Sequence, residues 1–274
     1  VIAHPKDVRE TSEIGDAEPV VPGRIASGAD GGSLARRVYR RSPVRRAFDA
    51  YWRNRGIHSD DVLIASYPRS GNAWLRFLVQ EMAGRPASFD SVRFEIPYVG
   101  QHRDAPQLVP GGGRFIKTHG PYLPAYRRAV HLVRDPRDVV LSYFRYMQRL
   151  GKIVFRPGDD IGASFDRFLD AFLAGDVAHG SWQSHLDSWT RAQESGADVL
   201  MIRYEEMRAE PVRKVGNLAD WLGFRCADAE LESIVERCSV ARTRDLEREA
   251  IAQDPTVFGP RRAGIDYVGP ASLG

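Results

Sequence analysis

Short apolar runs alternating with amphipathic stretches set the reading of this chain. Val62 to Ala65 is a run of the kind shown by a strand buried on both faces, and it empties into a small polar turn, Tyr67-Pro68-Arg69-Ser70-Gly71-Asn72. From Ala73, the residues Trp74, Phe77, Leu78 and Met82 recur near one face of a helix that Gly84 stops. The apolar run returns as Arg114 to His119, Ala129 to Arg134 and Val199 to Tyr204. Helical patterns cover Val139 to Met147, Phe165 to Leu173, Trp182 to Ala192, Pro211 to Leu222 and Asp228 to Arg237. Strands alternating with helices predict an α/β fold, a mostly parallel sheet flanked by helices on both faces. Pro86 to Gly113 shows no period and reads as a long loop, either a substrate lid or a surface excursion.

The turn after the first strand carries the first chemical suggestion. A strand that enters a helix through a small polar turn aims backbone N–H groups at whatever sits in the turn, and the helix dipole favours a negative charge there. Arg69, Ser70 and Asn72 add side-chain donors, while Gly71 permits close approach of a ligand. The loop lacks the Gly-Lys-Ser/Thr ending of a Walker-A loop, so alone it could be an ordinary strand-turn-helix. Arg69, Lys117, His119 and Arg134, however, all fall at predicted carboxyl ends of strands, where ligands of parallel sheets bind. That shared placement argues for one anion site.

Composition narrows the classes. Lys and Arg total 39 against 36 Asp and Glu, a formal net charge of +3, which suits an anionic ligand and falls short of a nucleic-acid binder. Cys226 and Cys238 show no metal-ligand spacing, and no HExxH or EF-hand pattern occurs, so no bound metal is expected. No run reaches the roughly 18 apolar residues of a membrane span, and the first residues lack a signal pattern, so a cytoplasmic protein is expected. Residues 1–55 read as an N-terminal arm, loosely ordered at first and then Arg-rich from Leu34, with residues 56–274 as the domain. The arginines of that arm read as a solvated face more readily than as a polyanion contact.

With these residues in place, the chain resembles the sulfotransferases that use 3′-phosphoadenosine 5′-phosphosulfate (PAPS). Ser66 to Trp74 is similar to the family's 5′-phosphosulfate loop, with Arg69 where the family has lysine and Asn72 and Ala73 where it has threonines. Ile116 to Pro121 resembles the strand carrying the catalytic histidine, here His119, preceded by Lys117. Val133 to Phe144 is similar to the 3′-phosphate segment, which carries over Arg134 and Ser142. Arg203 to Met207 resembles a segment that brings Tyr204 to the adenine, alongside Trp74. The run from Phe258 to Tyr267 resembles the closing basic segment, with Arg261 and Arg262 as its pair, although Ala263 stands where the family has glycine. The resemblance implies a P-loop-like nucleotide-binding sulfotransferase fold and PAPS as donor co-substrate. It also implies Arg69, Lys117 and His119 as catalytic residues, and Ser70, Gly71, Asn72 and Ala73 as further donor contacts.

A histidine can take an acceptor's proton during sulfuryl transfer, while preorganised cations and N–H groups stabilise charge on the departing oxygen. Phe89, Phe94, Tyr98, Tyr143, Phe144 and Phe155 are candidates for an acceptor pocket, pointing to an aromatic or lipophilic alcohol, with an amine or sugar as alternatives. His131 and His185 read as structural. A small-molecule kinase and a non-catalytic nucleotide-binding protein on the same fold remain open at this level. The sequence says nothing of oligomeric state.

Overall fold

The computed structural model describes residues 51–153 and 160–254. Most of the Arg-rich arm, Phe155 and the basic pair Arg261 and Arg262 lie outside them. Four strands form one parallel sheet: β1 (Val62–Ser66), β2 (Phe115–Thr118), β3 (Arg128–Val133) and β4 (Asp198–Arg203), in the order β2-β1-β3-β4. After β2 pairs on one side of β1, the chain crosses to its other side for β3, so the strand order reverses at β1. Such a reversal opens a crevice outside the carboxyl ends of the strands.

The nine helices given bounds among the described residues are α1 (Asn72–Met82), α2 (Ser91–Glu95), α3 (Pro136–Arg149), α4 (Ile161–Ala174), α5 (Trp182–Glu194), α6 (Tyr204–Ala209), α7 (Pro211–Leu222), α8 (Asp228–Arg237) and α9 (Val240–Gln253). Because side chains alternate along a strand, the sheet serves two cores. Val62, Ile64, Phe115, Val130 and Leu132 pack with α1, α7 and α8 on one face. Leu63, Ala65, Ile116, Ala129 and Val199 pack with Trp189 of α5 on the other. A third cluster joins α3 and α4 to Tyr67, beyond the strand ends.

Several boundaries differ from the sequence expectation. β2 ends at Thr118, so His119 stands just past the carboxyl end of the strand rather than within the ladder. The helical pattern at 165–173 begins earlier, at Ile161, because the Asp160 carboxylate accepts from the Ala163 N–H and caps it. Residues 86–113 are not free of structure: they contain α2, and Tyr98 forms a parallel bridge with Lys117. Arg76, buried on α1, fastens this stretch by donating to the carbonyls of Val92 and Ile96. α9 has no counterpart in the sequence reading; Ser239 caps it by accepting from Arg242 N–H, and it buries Thr243, Leu246 and Glu247.

At the amino ends of the strands, Asp61 and Arg114 form a buried pair with Nη2 to Oδ2 at 2.6 Å and Nε to Oδ1 at 3.0 Å. The same guanidinium donates to the carbonyls of Gly56, His102 and Arg103. It ties the segment before β1 to the segment before β2 at the end of the sheet away from the crevice.

Candidate active site

The turn after β1 has the geometry expected of an anion cradle. Arg69 has φ 68° and Gly71 φ 99°, so left-handed residues stand on either side of Ser70, whose own N–H closes the turn on the Tyr67 carbonyl at 3.3 Å. Helix α1 starts at Gly71 without a side-chain cap and with no acidic residue in its first turn, leaving its leading N–H groups to the cradle. Ser70 is 0% exposed, and its Oγ has no hydrogen-bond partner among the described residues. A buried hydroxyl without a partner costs free energy on the order of 1–3 kcal/mol, which an anion oxygen placed there would relieve. Those features fit a phosphate or sulfate group of the kind PAPS carries.

Gly71 is fixed by more than its φ. A Cβ there would lie 2.8 Å from the ring of Tyr204, the first residue of α6, so the glycine lets that ring pack directly against the cradle. Trp74 meets the Tyr204 ring edge-on with centroids 5.5 Å apart, and its Nε1 donates to the Cys238 carbonyl at 2.9 Å. The guanidinium of Arg134 lies over Tyr204 at 4.5 Å, donates to the Arg69 carbonyl at 3.4 Å and pairs with Asp138. Arg69 in turn donates from Nε to the Ser142 hydroxyl at 3.2 Å. Arg69, Trp74, Arg134, Ser142 and Tyr204, drawn from three separate stretches of chain, thus meet at one loop.

Asn72 departs from expectation. Its amide turns inward and donates to the Ile64 carbonyl at 3.2 Å and the Ser66 hydroxyl at 3.1 Å, because the last turn of β1 presents buried acceptors there. What Asn72 can offer an anion is its backbone N–H, as is the case for Ala73.

His119 is 4% exposed and joins this network through β1. Its Nδ1 lies 2.7 Å from the Ser66 carbonyl oxygen and 3.4 Å from the Ser66 hydroxyl. A carbonyl only accepts, so Nδ1 carries the proton and Nε2 of the neutral ring holds the lone pair. Ser66 is the last residue of the strand that enters the cradle, so the imidazole and the anion loop are fixed to each other by four residues of chain. Lys117, two residues earlier in β2, is buried with its ammonium 5.6 Å from the centre of the Tyr98 ring, and Tyr98 also lies 6.1 Å from the His119 ring.

The aromatic acceptor candidates separate. Tyr98 borders His119, whereas Phe89 meets Phe77 edge-on in the main core, and Tyr143 and Phe144 pack on Phe168 within the third cluster. Phe94 is 65% exposed on α2. Their sequence pattern could not tell a pocket from a core, since both require apolar rings. Asp135, by contrast, behaves as its position suggests: it caps α3 by accepting from Arg137 N–H, and the Arg137 side chain holds its carboxyl below the usual range. His131 and His185 are buried beside Trp189, both with burial pushing their basicity down, His185 to about 4. Ser66, which orients His119, escaped the sequence reading because a serine at a strand end has no distinguishing pattern. Among the described residues, no group of three or more His, Cys, Asp or Glu is arranged to hold a metal.

Comparison with known proteins agrees with this geometry. The sequence profile of the sulfotransferase domain matches residues 59–257. Rat sulfotransferase 1A1 is 27% identical over 204 residues, covering 68% of this chain and 67% of its own. Among solved structures, retinol dehydratase in complex with retinol and PAP superposes with a TM-score of 0.68 at 19% identity, over 84% of this chain and 79% of that one. Mouse sulfotransferase SULT7A1 complexed with PAP gives 0.60 at 23% identity, over 82% and 79%. With a matching profile across most of its length and the sheet, cradle and crevice in place, the chain belongs to the sulfotransferase domain family, whose enzymes are PAPS-dependent.

Proposed function

We propose that the protein transfers a sulfuryl group from PAPS to a hydroxyl of a small aromatic or lipophilic acceptor, with His119 as general base. The observation that carries this reading is the 2.7 Å contact from His119 Nδ1 to the Ser66 carbonyl, which leaves Nε2 as the nitrogen able to take a proton. When bound, the donor supplies a sulfuryl group already activated on a phosphate oxygen. Nε2 removes the acceptor's proton, and the Ser66 carbonyl steadies the imidazolium that results by accepting from Nδ1. Arg69, Lys117 and the cradle N–H groups oppose the charge that develops toward the 5′-phosphate side. Ser70 offers its hydroxyl to the same anion. Arg134 and Ser142 hold the 3′-phosphate with Arg261 and Arg262, and Trp74 and Tyr204 flank the adenine.

The acceptor class rests on Tyr98 beside His119 and on the burial of the imidazole. Retinol in the complex of retinol dehydratase, a relative in fold, supports a lipophilic alcohol. The experiment is incubation with PAPS and an acceptor panel in the presence of EDTA, reading sulfated product by mass spectrometry. His119→Ala should lower turnover at least about 100-fold while leaving adenosine 3′,5′-bisphosphate binding in place. Undiminished turnover in that variant would remove His119 as the base.

A further inference from the structure

Val133 and Arg203 form the last rung between β3 and β4. Only Arg134 and Asp135 separate β3 from α3, and α6 opens at Tyr204 directly after β4. Where the strands end, side chains carry the pairing on. The Arg134 guanidinium lies over the Tyr204 ring at 4.5 Å, and the Asp135 N–H donates to Oε1 of the Glu205 carboxylate at 2.9 Å. Residues 133, 134 and 135 thus meet 203, 204 and 205 in step, and Glu205 closes the third pair. The Asp135 N–H is free for this because Asp135 caps α3 with its side chain alone, by accepting from the Arg137 N–H.

Glu205 is not spent as a solvated charge. Its second oxygen, Oε2, is shielded from water and has no hydrogen-bond partner among the described residues. A carboxylate free to turn would give that oxygen to water, since leaving it bare costs free energy. Its neighbour Glu206 pairs with Lys214 instead. The guanidinium of Arg134 is held more loosely than its backbone. It reaches the Asp138 carboxylate at 3.3 Å and the Arg69 carbonyl at 3.4 Å, both longer than a good charge-assisted hydrogen bond, and its buried Nε has no partner among the described residues. Donors left at long range or without a partner suit the oxygens of an anion. Across to α6, the link is tied by the ring contact and by the hydrogen bond to Glu205, and the hydrogen bond is the directional one.

We propose that Glu205 is a positioning residue for the 3′-phosphate of the nucleotide: by holding the Asp135 N–H it sets the root of Arg134 beside Tyr204, and so lets the protein tell a 3′-phosphorylated nucleotide from one without that group. Glu205 acts through its hydrogen bond and not through its charge. A negative charge beside Arg134 weakens the pull of the guanidinium on an anion, so an amide in its place keeps the bond and removes the opposition. The proposal rests on the reading of Arg134 as a 3′-phosphate residue, but one arm of its test does not.

The test takes the full chain as native protein, Glu205→Ala, Glu205→Gln and Arg134→Ala. Proton–nitrogen NMR of the ligand-free proteins reads the Arg134 Nε–H, which the ring of Tyr204 shifts upfield. Calorimetry reads the affinities for adenosine 3′,5′-bisphosphate and for adenosine 5′-monophosphate, which lacks the 3′-phosphate. In Glu205→Ala the Arg134 signal should move toward that of an arginine in water, and the preference for the bisphosphate should fall by about 10-fold. Glu205→Gln should keep the native signal and keep or raise the bisphosphate affinity. An unmoved Arg134 signal in Glu205→Ala, equal losses for the two nucleotides in that variant, or a lost preference in Glu205→Gln overturns the proposal. If Glu205→Ala does not fold, Glu205→Asp, one methylene shorter with its charge kept, takes its place with the same expected results. A native preference retained in Arg134→Ala would sink the 3′-phosphate reading instead, and the Arg134 signal would still decide what Glu205 holds.

Discussion

Two buried side chains set the free-energy terms at the residue scale. Ser70 holds a buried hydroxyl that none of the described residues satisfies. Ser70→Ala should therefore leave the ligand-free melting temperature unchanged or raised, yet weaken adenosine 3′,5′-bisphosphate binding by about 5- to 30-fold, as read by calorimetry. Equal affinity in the two proteins would mean that the hydroxyl does not meet the anion. His185 makes the opposite kind of statement. Its ordinary value is 6.5 and its folded value about 4, so between those limits the unfolded chain binds a proton that the folded chain refuses. Stability must then fall as pH drops from about 6.5 toward 4, by up to about 1.4 kcal/mol per pH unit. His131, held well below its ordinary value by burial first and by His185 second, adds in the same direction. Urea midpoints measured from pH 7.5 to 4.5 should show a shallower acid decline in His185→Gln than in the native protein; parallel declines would refute this. The gathering of Arg69, His119 and Arg134 at one site was suggested by their strand-end positions, and their roles only by the family resemblance, whereas the inward turn of Asn72 was not legible, because its partner Ile64 is an apolar residue contributing only its backbone carbonyl.

At the scale of the element, the cradle depends on a helix that begins without a cap. Gly71→Ala would need a positive φ in an alanine and would drive a methyl group into the Tyr204 ring. It should cost about 1–3 kcal/mol and abolish nucleotide binding; denaturant unfolding and calorimetry together check this, and a variant that still binds tightly would show that Tyr204 can move aside. Helices with strong end signals were legible from sequence alone. Pro211 and Gly223 delimit α7, and α8 runs over its predicted residues. α9 was missed because its buried positions include Thr243 and Glu247, polar residues that erase the apolar period. α2 was missed because it is a single short turn whose support is tertiary, from Arg76 on α1.

For the whole molecule, the candidate site and the Asp61–Arg114 pair lie at opposite ends of the sheet. Asp61 is 1% exposed; burial alone would raise its pKa, but the Arg114 hydrogen bond, two backbone donors and the Arg114 charge outweigh that and lower it. Arg114→Ala would leave a buried carboxylate unpaired and should destabilise the fold by about 3–5 kcal/mol, measured by denaturant unfolding, although Arg114 touches none of the site residues. A loss under about 1 kcal/mol would show that water reaches Asp61 freely. The sequence by itself determined the α/β alternation, the anion loop and the family motifs, because strand burial, helix ends and phosphate binding are each written in neighbouring residues. Only the tertiary structure decided the strand order, the Asp61–Arg114 clamp and the proton on His119 Nδ1. Each of these joins residues far apart along the chain, and the energy of such a contact depends on distances that no local pattern encodes.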